Sequence, residues 1–228
     1  MIGARVRWWG LIVGLAGLTA CAGLGVETSS QAAFDAGLAL FNQGQHEKAI
    51  PHFVKATELD PEFARAYLYL GRSHINLRQW LDALSPLRTA WRLAPGDTQK
   101  EMAPILIDAL IGAAGTLLSK GNFQESIALF KEALELAPQS AEAKQSLFGA
   151  LVQYGGQLLA EGKASEAIGA YTEATQLAPQ ESQGYLGVAR SFFQSGNIFK
   201  AFSAANQALQ LSPNDGDVMS LMRQLQGR

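Results

Sequence analysis

Cys21 is the residue with the most distinctive chemistry, because it is the only cysteine in 228 residues. A single cysteine excludes a disulfide within the chain. Its thiolate would be a strong nucleophile that can be alkylated. The three histidines, His46, His52 and His74, form neither an HExxH motif nor a Cys/His ligand spacing. These side chains therefore indicate one modifiable thiol and no metal site.

The residues before Cys21 have the order of a secretory signal. Residues 1–7 contain two arginines and no acid, and residues 8–18 (WWGLIVGLAGL) form an 11-residue apolar run. A spanning helix needs about 20 apolar residues, whereas the core of a signal peptide needs roughly 7–15. We therefore predict a signal peptide over residues 1–20.

The end of this segment, Leu18-Thr19-Ala20-Cys21, resembles the bacterial lipobox. The resemblance implies cleavage before Cys21, a diacylglyceryl thioether on its sulfur and often an acylated amino terminus. Two or more acyl chains hold a protein stably at a membrane. An ordinary signal peptide with a cysteine near its end is the alternative. In such families an aspartate directly after the cysteine favours retention in the inner membrane. This chain has Ala22 at that position, so we expect the protein to be anchored in the outer membrane, facing the periplasm.

The composition excludes some partners. The formal charge is −2, and removal of residues 1–20 takes away Arg5 and Arg7 and leaves −4. A nucleic-acid surface needs clustered lysine and arginine, which this chain lacks. With 48% hydrophobic residues and no block of like charge, the chain can form a substantial core.

Five segments share an ending and an internal pattern. Each ends in a leucine, one further residue and a proline, with an alanine five residues before the proline and a small residue twelve before it. Seventeen residues before the proline stands a glycine, except in the second segment, which has Arg78. The five prolines are Pro61, Pro95, Pro138, Pro179 and Pro213. The first and last intervals between them are equal, and the two middle intervals are longer.

This pattern is similar to the tetratricopeptide repeat (TPR), a helix hairpin of about 34 residues. Small residues let the two helices approach, the glycine ends the first helix at positive φ, and the proline stops the second. The resemblance implies an all-α fold, an α-solenoid of helix hairpins in a right-handed superhelix. The units are 30–63, 64–97, 98–140, 141–181 and 182–213, with 21–29 as a lipidated terminus and linker and 214–228 as a capping helix.

Two units are longer than the others, with extra residues at 98–106 and 141–147. We predict that both lengthen a first helix, because 141–154 consists of helix-forming residues; a loop insertion is the alternative. Thr98 and Glu101 have the spacing of a capping box. Pro104 would kink a helix that continued through it.

In TPR arrays the first helices line a concave groove, and the family register assigns its candidate residues here. Many of the apolar ones could equally complete the core. Phe34 and Leu38 are apolar where some TPRs carry a carboxylate clamp, so that clamp looks incomplete. The candidates for partner binding are Phe34, Leu38, Phe41, Asn42, Arg65, Leu68, Arg72, Asn76, Arg190 and Phe193, with Ile75, Ile111, Gly115, Leu118, Val152, Gly156, Leu159 and Leu186 on the same register.

The sequence contains no GxSxG motif, no phosphate loop and no paired catalytic groups, so we expect neither an enzyme nor a cofactor. The resemblance implies a membrane-anchored scaffold or adaptor that binds a peptide or a partner protein of the cell envelope. An assembly factor for pilus, secretion or outer-membrane machinery is one alternative, and a small-molecule or glycan carrier or enzyme is another. Self-association is a third, which an outward-facing Trp80 or Trp91 would support.

Overall fold

The computed structural model describes residues 20–227 of the chain, with side chains from Ser29 onward. This part contains eleven α-helices and no strand, which confirms the predicted all-α solenoid and its helix count. The helices are α1 (Ala20–Asn42), α2 (His46–Leu59), α3 (Ala64–Asn76), α4 (Trp80–Leu93), α5 (Gly96–Ser119), α6 (Phe123–Leu136), α7 (Ala141–Ala160), α8 (Ala164–Leu177), α9 (Ser182–Gln194), α10 (Ile198–Leu211) and α11 (Gly216–Gln226).

The first ten helices form five hairpins stacked in chain order, each packed against the next. First helices of neighbouring hairpins also contact each other, α1 with α3, α5 with α7 and α7 with α9. Second helices are linked by long ion-paired side chains, Arg88–Glu132 between α4 and α6 and Lys131–Glu173 between α6 and α8. The first helices therefore lie on the inside of the curve and the second helices on the outside.

Within a hairpin, a small residue of the first helix accepts a large residue of the second. A Cβ built on Gly37 would lie 2.8 Å from the Phe53 ring, and one on Gly71 would lie 2.5 Å from Leu87. Small residues of the second helices complete the contact. Five alanines, each five residues before the unit's final proline, are fully buried: Ala56, Ala90, Ala133, Ala174 and Ala208.

The turn inside each hairpin requires one residue in the left-handed region. Four glycines hold it with φ between 74° and 81°, and Arg78 holds it in the second hairpin with φ 57°. In this second turn the Gln79 N–H donates to the His74 carbonyl at 2.9 Å, which satisfies an orphan carbonyl of the helix end. The predicted glycine positions are thus explained by the turn geometry.

The two long units have long first helices, as predicted. α5 has 24 residues and α7 has 20, against 13 for α3 and for α9. The predicted capping box at Thr98 is wrong, because α5 already begins at Gly96, after Pro95, and has no side-chain cap hydrogen bond. Pro104 lies inside α5, which runs on as one continuous helix.

Both ends of the array are helical in the described part of the chain. The predicted linker at 21–29 is helical backbone at the start of α1, as is Ala20, while residues 1–19 of the predicted signal peptide lie outside the described residues. At the other end, where the sequence predicts a capping helix, α11 buries Val218, Leu221, Met222 and Leu225.

One described helix, α5, is long and apolar enough to cross a membrane by length and composition. Its buried residues pack into the core formed with α4 and α6, which includes Leu106, Leu110 and Ala113. The same composition suits the central helix of a repeat array.

Arg78→Gly should raise the free energy of unfolding by about 1 kcal/mol, since glycine avoids the steric cost of left-handed backbone. The control is Arg92→Gly, on the exposed last turn of helical α4, which should lower it by a similar amount. Urea unfolding followed by circular dichroism measures both. A destabilised Arg78→Gly protein would contradict this account of the turn.

Candidate functional site

The candidate site is the inner face of the array, defined here as the exposed side of α1, α3, α5, α7 and α9. Two predicted residues do not reach it. Phe34 is 1% exposed, with its ring centroid 5.0 Å from Phe63 and 5.7 Å from Phe53, and Leu186 is 5% exposed. Both are core residues. The sequence could not separate them from groove residues, because helix periodicity marks an apolar side without saying what covers it.

The other predicted residues retain exposed surface on the first helices. Some are half-buried, so each contributes both to the core and to the inner face: Leu38, Phe41, Leu68, Arg72 and Phe193. The polar ones are largely exposed: Asn42, Arg65, Asn76 and Arg190. The inner face therefore combines apolar surface with amide and guanidinium groups.

Two arginines of α3 lie over aromatic rings. The guanidinium carbon of Arg65 is 5.1 Å from the centroid of Phe34. That of Arg72 is 5.2 Å from Phe41 and 5.0 Å from Tyr69. Such stacking on ring faces is an attractive cation–π contact and restrains the side chain. Sequence reasoning placed these arginines on the face but did not find the rings that hold them.

A cleft of about 250 Å³ lies between α3 and α5 on this face. Arg72, Ile75 and Asn76 form the wall that the sequence predicted. The opposite wall was not predicted: Pro104 and Ile105 come from the lengthened start of α5, and Asp108 follows in the same helix. The residues that make the third unit longer than the first two thus contribute directly to this cleft.

A second cleft, of about 340 Å³, lies at the C-terminal end of the face between α7, α9 and α11. Arg190 lines it but is already paired, since its guanidinium is 3.0 Å from the Asp217 carboxylate. Tyr171 lies at its base, where burial raises the pKa of the phenol. Glu181 and Asp215 also line the cleft. This end is therefore more acidic than the α3 end.

Glycines open the middle of the inner face. A Cβ built on Gly115 or Gly149 would meet nothing within 4 Å, and one on Gly156 would meet only the Tyr171 hydroxyl, at 3.6 Å. None of these residues has a positive φ. Each nevertheless costs its helix up to about 1 kcal/mol relative to alanine. The fold does not require these glycines, and their effect is a wider trough.

A third cleft, of about 380 Å³, lies along the turns that follow α5 and α7. Phe123 and Tyr154 stack there with centroids 5.9 Å apart, and Gln124 donates to the Tyr154 hydroxyl at 2.9 Å. Hydrogen bonds from Lys163 and Gln157 lower the pKa of Glu161, and the same pairing raises the pKa of Lys163. This cleft was not predicted, because its residues vary between units.

No group of three potential metal ligands occurs among the described side chains. His46 packs edge-on against Phe41, and the Nδ1 of His74 is 2.8 Å from the Gln79 amide oxygen. Trp80 packs against Gly112, and both Trp80 and Trp91 are half-buried.

Comparison with known proteins identifies the family. Models of the TPR repeat match residues 37–77, 107–140 and 157–216. The chain is a tetratricopeptide-repeat protein. Repeats of this family generally mediate protein–protein interactions and peptide binding.

Individual relatives are distant. Tetratricopeptide repeat protein 16 of Mus musculus is 29% identical over 108 residues, which are 44% of this chain and 14% of that protein. A TPR-repeats protein from Bacteroides fragilis NCTC 9343 has a TM-score of 0.60 at 15% identity, over 87% of this chain and 98% of that chain. YrrB, described as a TPR protein with an unusual peptide-binding site, has a TM-score of 0.40 at 17% identity, over 91% of this chain and 99% of that chain.

Gly115→Ala should leave the fold intact and raise the free energy of unfolding by about 0.5–1 kcal/mol, because its Cβ enters open space in a helix. Gly187→Ala is the contrast, since its Cβ would lie 2.1 Å from the Tyr171 ring and should destabilise by about 1–3 kcal/mol. Thermal unfolding distinguishes the two. A destabilised Gly115→Ala protein would mean that this glycine has a structural role.

Proposed function

We propose that this protein is an envelope scaffold that binds a partner protein by laying a peptide segment along the inner face of its TPR array. The observation that carries the proposal is the face itself, where half-exposed apolar side chains, exposed amides and two arginines line a trough widened by Gly115, Gly149 and Gly156. Peptide-binding grooves combine apolar contact surface with a few placed polar groups in this way.

The form of the clefts favours a peptide over a small molecule. Small-molecule sites are concave pockets that bury most of the ligand around a few convergent polar groups. The clefts of about 250 and 340 Å³ lie at separate places on one face, one beside α3 and one beside α9. A segment of several residues can contact both, whereas a small ligand can contact one. A carrier or enzyme for a small molecule or glycan is therefore the second candidate.

The membrane part of the proposal rests on Leu18–Cys21. A thioether-linked lipid on Cys21 would anchor the chain, and the location we propose is the outer membrane facing the periplasm. The helical backbone from Ala20 onward supports a short tether, because a helix rises about 1.5 Å per residue and residues 22–29 then span about 12 Å. The first hairpin would thus stay close to the bilayer. Pilus, secretion and outer-membrane assembly are all processes that such a scaffold can serve.

Gly115→Phe tests the groove. The Cβ of the new residue would meet nothing within 4 Å and its ring would enter the trough, so binding of a partner recovered from solubilised envelope should fall at least about tenfold. Gly169→Phe is the matched control, because Gly169 is an exposed glycine of α8, on the outer side, whose Cβ also meets nothing within 4 Å. Affinity measured by biolayer interferometry gives the comparison. Equal loss in both variants, or loss in neither, would exclude the inner face.

Cys21→Ala tests the anchor. Without the thiol there is no atom to carry the diacylglyceryl group, so incorporation of labelled fatty acid should be abolished and the chain should be soluble or unprocessed. Metabolic labelling with an alkyne fatty acid measures this. Continued labelling of the variant would show that Cys21 is not the lipidated residue.

A further inference from the structure

We propose that the α3 end of the inner face selects acidic segments, binding one side-chain carboxylate with Arg65 and a second with Arg72. This proposal rests on the proposed function and names the chemistry of its ligand. The recognition elements are two guanidinium groups, the aromatic rings that hold them and the apolar cleft beside Arg72.

The rings position both guanidinium groups before any ligand arrives. Arg65 is held over Phe34, and Arg72 is held over Phe41 and Tyr69. An aromatic ring accepts no N–H bond of ordinary strength, so a guanidinium beside one keeps N–H donors for a ligand, and a carboxylate can accept two of them. Since free arginine side chains lose considerable rotamer entropy on binding, this restraint lowers the entropy cost.

Both groups also lack an anionic partner. Among the described residues, no carboxylate lies within 4.0 Å of Arg65 or Arg72, and neither guanidinium makes a hydrogen bond. Two other arginines do have such a partner, since Arg88 pairs with Glu132 and Arg190 pairs with Asp217. The α3 end is thus the place where restrained arginines are left without an internal anion.

The spacing defines the ligand. Arg65 and Arg72 are seven residues apart on α3, which places their backbones about 10 Å apart along one side of the helix. In an extended segment with the polyproline II conformation, every third side chain lies on the same side, and two such residues are about 9 Å apart along the segment. Acidic residues three apart in such a segment therefore match the two arginines. A chain terminus carries a single carboxylate and can satisfy only one of them.

The adjoining cleft is lined by one positive and one negative side chain, and this difference in charge can be tested. Asp108 of α5 lines it together with Arg72, Ile75 and Ile105. A carboxylate on the ligand would be attracted to Arg72 and repelled by Asp108. Neutralising Asp108 should therefore strengthen the binding of an acidic ligand, while neutralising either arginine should weaken it.

The experiment uses the lipid-free mature chain and a synthetic hexapeptide, Leu-Asp-Pro-Pro-Asp-Leu, with acetylated and amidated ends, beside its Asn-Pro-Pro-Asn counterpart. Isothermal titration calorimetry should show the aspartate peptide binding at least about tenfold more tightly than the asparagine peptide. Arg65→Gln and Arg72→Gln should each remove most of that difference, and Asp108→Asn should increase it about threefold. Arg92→Gln is the control, and it should leave the affinity unchanged because Arg92 is an exposed residue of the second helix α4, outside the inner face.

Thermal unfolding of each variant establishes that it still folds. Three results would each overturn the proposal. The two peptides bind equally, the aspartate peptide does not bind, or an asparagine peptide with a free carboxyl end binds as tightly as the aspartate peptide. If the peptides bind equally and Gly115→Phe still blocks them, the groove is retained and only the selection of acidic residues fails. If Gly115→Phe leaves the captured partner bound, the proposed function itself fails.

Discussion

The structure depends on one contact that recurs in at least three of the five hairpins, a large side chain of the second helix packed against a small residue of the first. Phe53 against Gly37, Leu87 against Gly71 and Tyr171 against Gly155 are three instances of it. In the third, a Cβ on the glycine would lie 2.6 Å from the opposing ring. Because interiors pack without voids, such a pair fixes the distance between the two helices. Hairpins of uniform thickness can then stack as a solenoid.

The same contact leaves the inner face free. One side of each first helix packs against the second helix of its own hairpin and against the neighbouring hairpins. The remaining side of the first helix faces the inside of the curve. Where a unit has a longer first helix, this free side is extended. The added stretch of α5 supplies Pro104 and Ile105 to the cleft beside α3. An added stretch of helix therefore leaves the core spacing intact and adds surface to the groove.

Sequence predicts this fold well, because the features that define it are periodic. The buried alanines, the turn glycines and the helix-ending prolines recur in register, so their roles follow from turn and packing geometry. The inner face is predicted less completely. Phe34 has the periodicity of a groove residue but is covered by Phe63 and Tyr69, which come from the next hairpin. Contacts between residues far apart in sequence decide such cases, and a one-dimensional pattern does not contain them.

Site-directed photo-crosslinking in intact cells tests the central claim, that the inner face holds the partner, most directly. A photo-reactive phenylalanine analogue at Gly156 would extend from the inner face, and the same analogue at Lys131 would extend from the exposed side of α6. We expect one discrete adduct from position 156, with the crosslinked peptide of the partner identified by mass spectrometry, and no such adduct from position 131. An adduct from position 131 with none from position 156 would show that the partner binds outside the inner face.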